Sequence, residues 1–193
     1  MSVRVKLADS PADWAGAVAV RIAVFVDEQH VPLPAELDEH DRVALHAVAV
    51  VERSAAELKA LDRVRQPVAA RAVAQAGRYL PMSLAGTRVL GAEAALAPVV
   101  GTARLVGGAG GHYRLGRLAV YPRWRGKGVG SRLLRLLEEA ALARGASRLH
   151  LHSQTHAEPF YAKHGYTVDA PRAEFLEDGI PHVRMSKPLS PEM

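Results

Sequence analysis

Between residues 120 and 131 the chain reads Val-Tyr-Pro-Arg-Trp-Arg-Gly-Lys-Gly-Val-Gly-Ser, and no other stretch so narrows the folds open to it. A strand-like run ends there and an amphipathic run, Ser131 to Ala143, begins; three glycines and three cationic side chains join them, with Arg132 just beyond. Gly126, Gly128 and Gly130 let the backbone come close to a ligand and take positive φ. The helix that follows brings free N–H groups and the positive end of its dipole to the same place, so the turn is suited to an anion, above all a pyrophosphate.

Spacing separates the phosphate-binding patterns that could apply. A dinucleotide fingerprint, G-x-G-x-x-G, needs glycine at position 131, where serine stands. It also needs an acidic residue about 20 positions on, where Arg144 to Ser147 offer no carboxylate. A Walker loop fails at both ends, at Tyr121 and at Gly128. The pattern R-x-x-G-x-G does fit, through Arg125, Gly128 and Gly130, with Val120 and Pro122 ahead of it as V-x-P. This resembles motif A of the GNAT superfamily of N-acyltransferases, in which the loop holds the pyrophosphate of acetyl-coenzyme A.

Further blocks strengthen the resemblance. Leu149 to Ser153 alternates as a half-buried strand does. Gln154, Ala157, Phe160, Tyr161, Gly165 and Tyr166 then follow the GNAT pattern N-x-x-A-x-x-[FL]-Y-x-x-x-G-[FY], with glutamine in place of the usual asparagine. Near the other end stands Arg21-Ile22-Ala23-Val24-Phe25-Val26-Asp27-Glu28-Gln29, and near the close Glu177-Asp178-Gly179-Ile180-Pro181-His182. These two blocks look like those of the ElaA-like subgroup. The resemblance covers most of residues 1–53 and 98–188.

Composition sets bounds around this. At 193 residues and 49% hydrophobic, the chain is long enough for one domain with a sizeable core, and one acetyltransferase domain over 1–193 is expected. It has no cysteine, so a thiolate metal site and a cysteinyl acyl-enzyme are excluded, which leaves direct transfer between bound substrates in a ternary complex. The net charge of +5 comes from arginines spread along the chain with few aromatics, so nucleic acid is not the expected partner. A cationic mouth of Arg123, Arg125, Lys127 and Arg132 would instead suit the phosphates of coenzyme A. No apolar run reaches transmembrane length and Met-Ser-Val-Arg-Val-Lys is no signal core, so no membrane and a cytoplasmic place are expected.

Along the chain, Val3 to Leu7 reads as a strand, and Ser10-Pro11-Ala12-Asp13 starts a helix expected to run to about Phe25. Asp27 to Asp41 reads as loop or short helix, and Leu45 to Val51 as a second strand. Residues 54–86, rich in alanine and arginine, read as a helical insertion. Val99 to Val106 and His112 to Val120 pair around a glycine-rich connection. The order β, α, β, β, β, α, β, α, β, β predicts an α/β fold, a mixed sheet with helices on both faces. The resemblance implies the GNAT form of it: a mostly antiparallel central sheet whose fourth and fifth strands splay apart.

It also implies site residues. The donor, acetyl-CoA, would meet Leu118, Ala119 and Val120 on the fourth strand, Arg125, Gly126, Lys127, Gly128, Val129, Gly130 and Ser131 at the pyrophosphate, and Gln154 along the pantetheine arm. Tyr161 matches the family's general acid, and a phenol with pKa near 10 is protonated at neutral pH. Glu28 and His152 are the two candidates for the base; Glu28 could instead pair with an arginine such as Arg21. His150 lies on the same strand face as His152. No metal is expected, since no His-x-x-x-His pair stands on a predicted helix with a third ligand. The acceptor would be a small-molecule or peptide amine, a cationic one if Glu28, Glu36, Asp38, Asp41, Glu177 and Asp178 gather at its mouth. Related folds often form homodimers. The alternative to an enzyme is an acyl-CoA-binding sensor or interaction module without turnover.

Overall fold

The computed structural model describes residues 2–52, 71–72, 74–84, 97–108 and 111–190. Eight strands form one sheet: β1 (Val3–Leu7), β2 (Leu45–Val51), β3 (Val99–Gly107), β4 (His112–Val120), β5 (Arg148–Gln154), β6 (Thr167–Val168), β7 (Glu174–Glu177) and β8 (Ile180–Pro188). Their order is β1-β2-β3-β4-β5-β8-β6, with β7 on the remaining part of β8's edge. Every neighbouring pair is antiparallel except β4 and β5. This is the expected α/β architecture, with α1 (Pro11–Arg21) on one face and α3 (Val129–Leu142) on the other, either side of β3. Two short helices, α2 (Leu33–Glu36) and α4 (Glu158–Ala162), flank the ends of the strands.

The two long helices are built differently. The α3 helix is amphipathic: Val129, Leu133, Leu134, Leu137, Ala140 and Ala141 form the stripe that packs on the sheet. The α1 helix is buried all along from Asp13 to Arg21, as a helix apolar on most sides should be. Ser10 caps it by accepting from the Asp13 N–H, as its sequence predicts. Gly16 sets how close it lies: a Cβ there would stand 2.6 Å from Val99 Cγ2 and 2.9 Å from the Ala97 carbonyl. Any side chain would push the helix off β3.

The α-helical turn ends at Arg21, short of the expected Phe25, and the chain continues as a π-helix from Ile22 to Glu28. Wider i→i+5 turns of this kind are uncommon and tend to stand at functional positions. Of the helical insertion expected over 54–86, residues 54–70, 73, 85 and 86 lie outside the described set. The described part is helical up to residue 78 and is held to α1 where Trp14 Nε1 donates to the Ala76 carbonyl, 2.9 Å.

Two features of β4 shape the site. Its register against β3 passes from Thr102↔Ala119 to Arg104↔Gly116, so β4 carries one extra residue, and Arg117 takes φ 53 in that bulge. Its pairing with β5 runs from His112↔Arg148 to Leu115↔Leu151 and stops. Beyond that point β4 stays with β3 and β5 stays with β8 as far as Gln154↔His182. The two strands part, as expected, and their freed backbone edges face a cleft.

Candidate active site

The cleft has a volume of about 500 Å³ and is lined by Gly116 to Val120 of β4, His152 and Gln154 of β5, Phe160 and Tyr161 of α4, and Glu28, Arg125 and Glu177. The structure therefore brings Leu118, Ala119, Val120, Arg125, Gln154, Tyr161, Glu28 and His152 to one place. Gly126 to Ser131 follow Arg125 in the chain and lead into α3.

At that helix start Gly128 is the N-cap with φ 73, a left-handed conformation that costs other residues about 1–2 kcal/mol. No side chain caps the helix and its first turn holds no acid. The first-turn N–H groups, which have no acceptor within the helix, are left for a ligand. A Cβ added at Gly126 or Gly128 would meet no atom within 4 Å, so the loop borders open space. Lys127 Nζ stands 5.3 Å from the ring centroid of buried Trp124. Arg125 Nε donates to the Val120 carbonyl, 2.9 Å, tying the loop to the strand end.

Arg125 also forms a two-armed ion pair with Glu28, with Nη1–Oε1 at 2.8 Å and Nη2–Oε2 at 2.6 Å. That hydrogen bond, with the attraction of the same guanidinium, holds the Glu28 carboxyl below its ordinary value. Glu28 is thus paired with an arginine, but with Arg125 and not with Arg21. The neighbouring Gln29 accepts from Gln154 Nε2 at 2.8 Å.

Tyr161 is 8% exposed and packs edge-on against Phe160 and Tyr166. Burial pushes its phenol well above the usual range, so it keeps its proton at any physiological pH. His152 Nδ1 lies 2.7 Å from Glu177 Oε2, and its ring meets that of Phe175 in a T-shaped contact with centroids 4.9 Å apart. Burial works against the charge of Glu177, yet the His152 hydrogen bond prevails and lowers its pKa. An ionised carboxylate can only accept, so Nδ1 carries a proton, and in the neutral form of the imidazole this tautomer leaves the lone pair on Nε2. His150 is on the same side of β5, half-buried and tilted against His112 at 5.9 Å. Among the described residues no three of His, Asp or Glu converge on a point that could hold a metal ion.

Of the six carboxylates expected at the acceptor mouth, Glu28, Glu36, Asp38, Glu177 and Asp178 line the cleft and Asp41 does not, but all of these except Asp178 are engaged by other side chains. Glu36 is 2% exposed and Asp41 fully buried, both committed to arginines. Arg21 donates to Glu36 Oε1 at 2.5 Å and to Asp41 Oδ1 at 2.7 Å; Arg104 donates to Asp38 and Asp41; Arg117 reaches the Ala35 and Glu36 carbonyls, 3.1 Å each. Burial opposes the charge on each: for Arg21 the attraction of Glu36, then Asp41, wins and raises it; for Asp41 that of Arg21 wins and lowers it; for Glu36 burial prevails and its carboxyl is raised. His46 beside them donates from Nε2 to the Asp41 carbonyl, 3.0 Å, and burial, then Arg21, push it down to about 4. It is neutral, and three arginines face three carboxyl groups.

This network escaped the sequence reading, although Arg104 within an otherwise apolar strand was a signal for it. A long, always charged side chain inside a two-sided buried strand needs a counter-ion.

Comparison with known proteins agrees with this geometry. The model of the acetyltransferase (GNAT) domain matches residues 65–189. The chain belongs to the GNAT acetyltransferase family. It is 34% identical over 171 residues to YjcF, an uncharacterized N-acetyltransferase of Bacillus subtilis (strain 168), covering 89% of each chain. A crystal structure of a Lactobacillus plantarum protein proposed to be an N-acetyltransferase superposes with TM-score 0.69 at 27% identity, covering 98% of this chain and 100% of that one. Escherichia coli ElaA superposes with TM-score 0.62 at 18% identity, over 96% of this chain and 99% of that one, and shows the shared fold.

Proposed function

We propose that this chain acts as one domain that moves an acetyl group from acetyl-CoA to a primary amine, directly, with both substrates bound. The observation that carries this is the parting of β4 and β5 at Leu115 and Leu151, which opens a cleft holding Tyr161 and His152 and reached by the motif arginine, Arg125. The pyrophosphate would lie on the uncapped start of α3, against Arg125 to Ser131. The pantetheine arm would pair with the free edge of Leu118, Ala119 and Val120, near Gln154.

Three chemical needs are met by this chain's own groups. An amine arrives as an ammonium and must lose a proton before attack; His152, oriented by Glu177, takes it on Nε2. Glu28 is the weaker base, because Arg125 holds its carboxyl ionised and engaged. A main-chain N–H at Leu118 or Ala119 supports the oxyanion as the amine nitrogen bonds to the carbonyl carbon. The C–S bond then breaks as Tyr161 gives its proton to the leaving thiolate, and the second proton lost by the former amine nitrogen restores the Tyr161 phenol, directly or through water. Among the described residues no helix is long and apolar enough to cross a membrane, which fits the cytoplasmic place we assign.

Thiol release from acetyl-CoA, followed across a panel of primary amines, tests the reading. Tyr161→Phe is expected to lower turnover about 100-fold or more, the usual contribution of a positioned acid, with donor affinity within about twofold of the parent. Unchanged turnover would remove Tyr161 from the mechanism. Donor binding without turnover across the panel would make the protein an acyl-CoA-binding module.

A further inference from the structure

The end of the π-helix crosses the cleft with two consecutive side chains. Glu28 holds Arg125 on the loop before α3, and Gln29 holds Gln154 at the end of β5. These are the two side chains assigned above to the donor, one to its pyrophosphate and one to its pantetheine arm. What Arg125 holds in the structure is a carboxylate, and what Gln154 holds is a primary amide. Chemically they are small copies of those two parts of the donor. A two-oxygen anion meets the guanidinium fork, and an amide oxygen meets the Gln154 NH₂ as an amide of the pantetheine arm would.

We propose that Glu28 and Gln29 are an internal stand-in for the donor, and that the donor, on displacing them, frees Glu28 to seat the acceptor's ammonium group. The proposal rests on the acyl-transfer reading and adds an order of binding and an acceptor class to it. The same guanidinium fork cannot bind both partners in full, so donor binding works against the Glu28 pair. Once Arg125 has turned to the pyrophosphate, an ionised carboxylate is left at the cleft without its cation. Of the other carboxylates lining the cleft, Glu36 and Asp38 are held in the arginine network and Glu177 on His152, while Asp178 stands at its rim without an ion pair among the described residues. Glu28 is the one that donor binding sets free, adding a second unpaired carboxylate to Asp178 in the cleft, and a cationic amine is the group that answers them. The strap is suited to move, because it ends a π-helix and both of its bonds are side chain to side chain at partly exposed positions.

Calorimetric titration with coenzyme A, which has no acyl group to lose, reads the first half without any turnover. Removing the competing charge by Glu28→Gln should tighten coenzyme A binding about three- to fivefold, in keeping with an exposed ion pair. Gln29→Ala should tighten it less, and Glu28→Asp, which keeps the charge, should stay near the parent. In an Arg125→Met background the gain from Glu28→Gln should vanish. Equal or weaker binding by Glu28→Gln, or a gain that persists without Arg125, would overturn the stand-in.

The second half is read with the fastest acceptor of the amine panel. Glu28→Gln should raise its KM about tenfold or more with kcat within about threefold, and the amine should bind the parent protein only when coenzyme A is present. An unmoved KM, or equal amine binding with and without coenzyme A, would overturn the acceptor seat. If coenzyme A bound neither protein, the acyl-transfer reading itself would fall. If it bound and only these shifts were missing, the stand-in alone would fall.

Discussion

Two ion clusters join the segment after α1 to the strands, and their bond lengths are nearly the same. Arg21 meets Glu36 and Asp41 at 2.5–2.7 Å; Arg125 meets Glu28 at 2.6–2.8 Å. What differs is the solvent around them. The side chains of Arg21, Glu36, Asp41 and Arg104 are 0–4% exposed, whereas those of Glu28 and Arg125 are 40% and 44% exposed. In the first cluster each charge has lost its water and depends on its partners; in the second, water can take a partner's place. Contact distance does not separate a structural pair from an exchangeable one. Burial does, and it divides this segment into a fixed part, residues 36–41, and a part free to trade partners, residues 28 and 29.

The strongest way to break that comparison is to open the buried cluster. Asp41→Ala leaves Arg21 and Arg104 short of a counter-ion inside the protein, and the expected loss is about 3–5 kcal/mol of unfolding free energy, measured by urea denaturation. A loss under about 1 kcal/mol would mean that water reaches the cluster and that the two regions are alike.

A second effect of burial is seen through pH. His46 has a folded pKa of about 4 against 6.5 in the unfolded chain. Between these values the unfolded state binds more protons, so stability rises with pH. The His46 contribution is complete above about pH 6.5 and is lost as pH falls toward 4, on the order of 3 kcal/mol in all. His46→Gln should flatten the decline in urea midpoint between pH 6.5 and 4.5. A decline as steep as the parent's would assign it to other groups.

How far the sequence could be read follows the same division. The strands, α3 and the caps were legible because alternation, 3.6-residue spacing and Ser10 act over a few residues. The site loop was legible because R-x-x-G-x-G is local too. The arginine cluster was not, since Arg21, Asp41 and Arg104 are 20 and 63 residues apart in the pairs that matter, and periodicity says nothing about such pairs. The stretch Asp27 to Asp41 therefore read only as loop or short helix. The π-helix was hidden for a different reason: Ile22 to Val26 is an apolar run that suits an i→i+4 turn as well as an i→i+5 one. The parting of β4 from β5 has no local signal either, and came only through family resemblance.

The smallest effect is the most discriminating. If the Glu28 pair is exchangeable, Glu28→Gln should change unfolding free energy by under about 1 kcal/mol, and by less still at high salt, where the Debye length shrinks from about 10 Å at 0.1 M to about 3 Å at 1 M. The same substitution is expected to move donor affinity. A residue whose loss alters ligand binding more than folding belongs to the site's working parts, whatever its hydrogen bonds look like at rest. Were Glu28→Gln to cost about as much as Asp41→Ala in the same urea titration, Glu28 would be a structural residue like Asp41, and the segment after α1 would have one function instead of two.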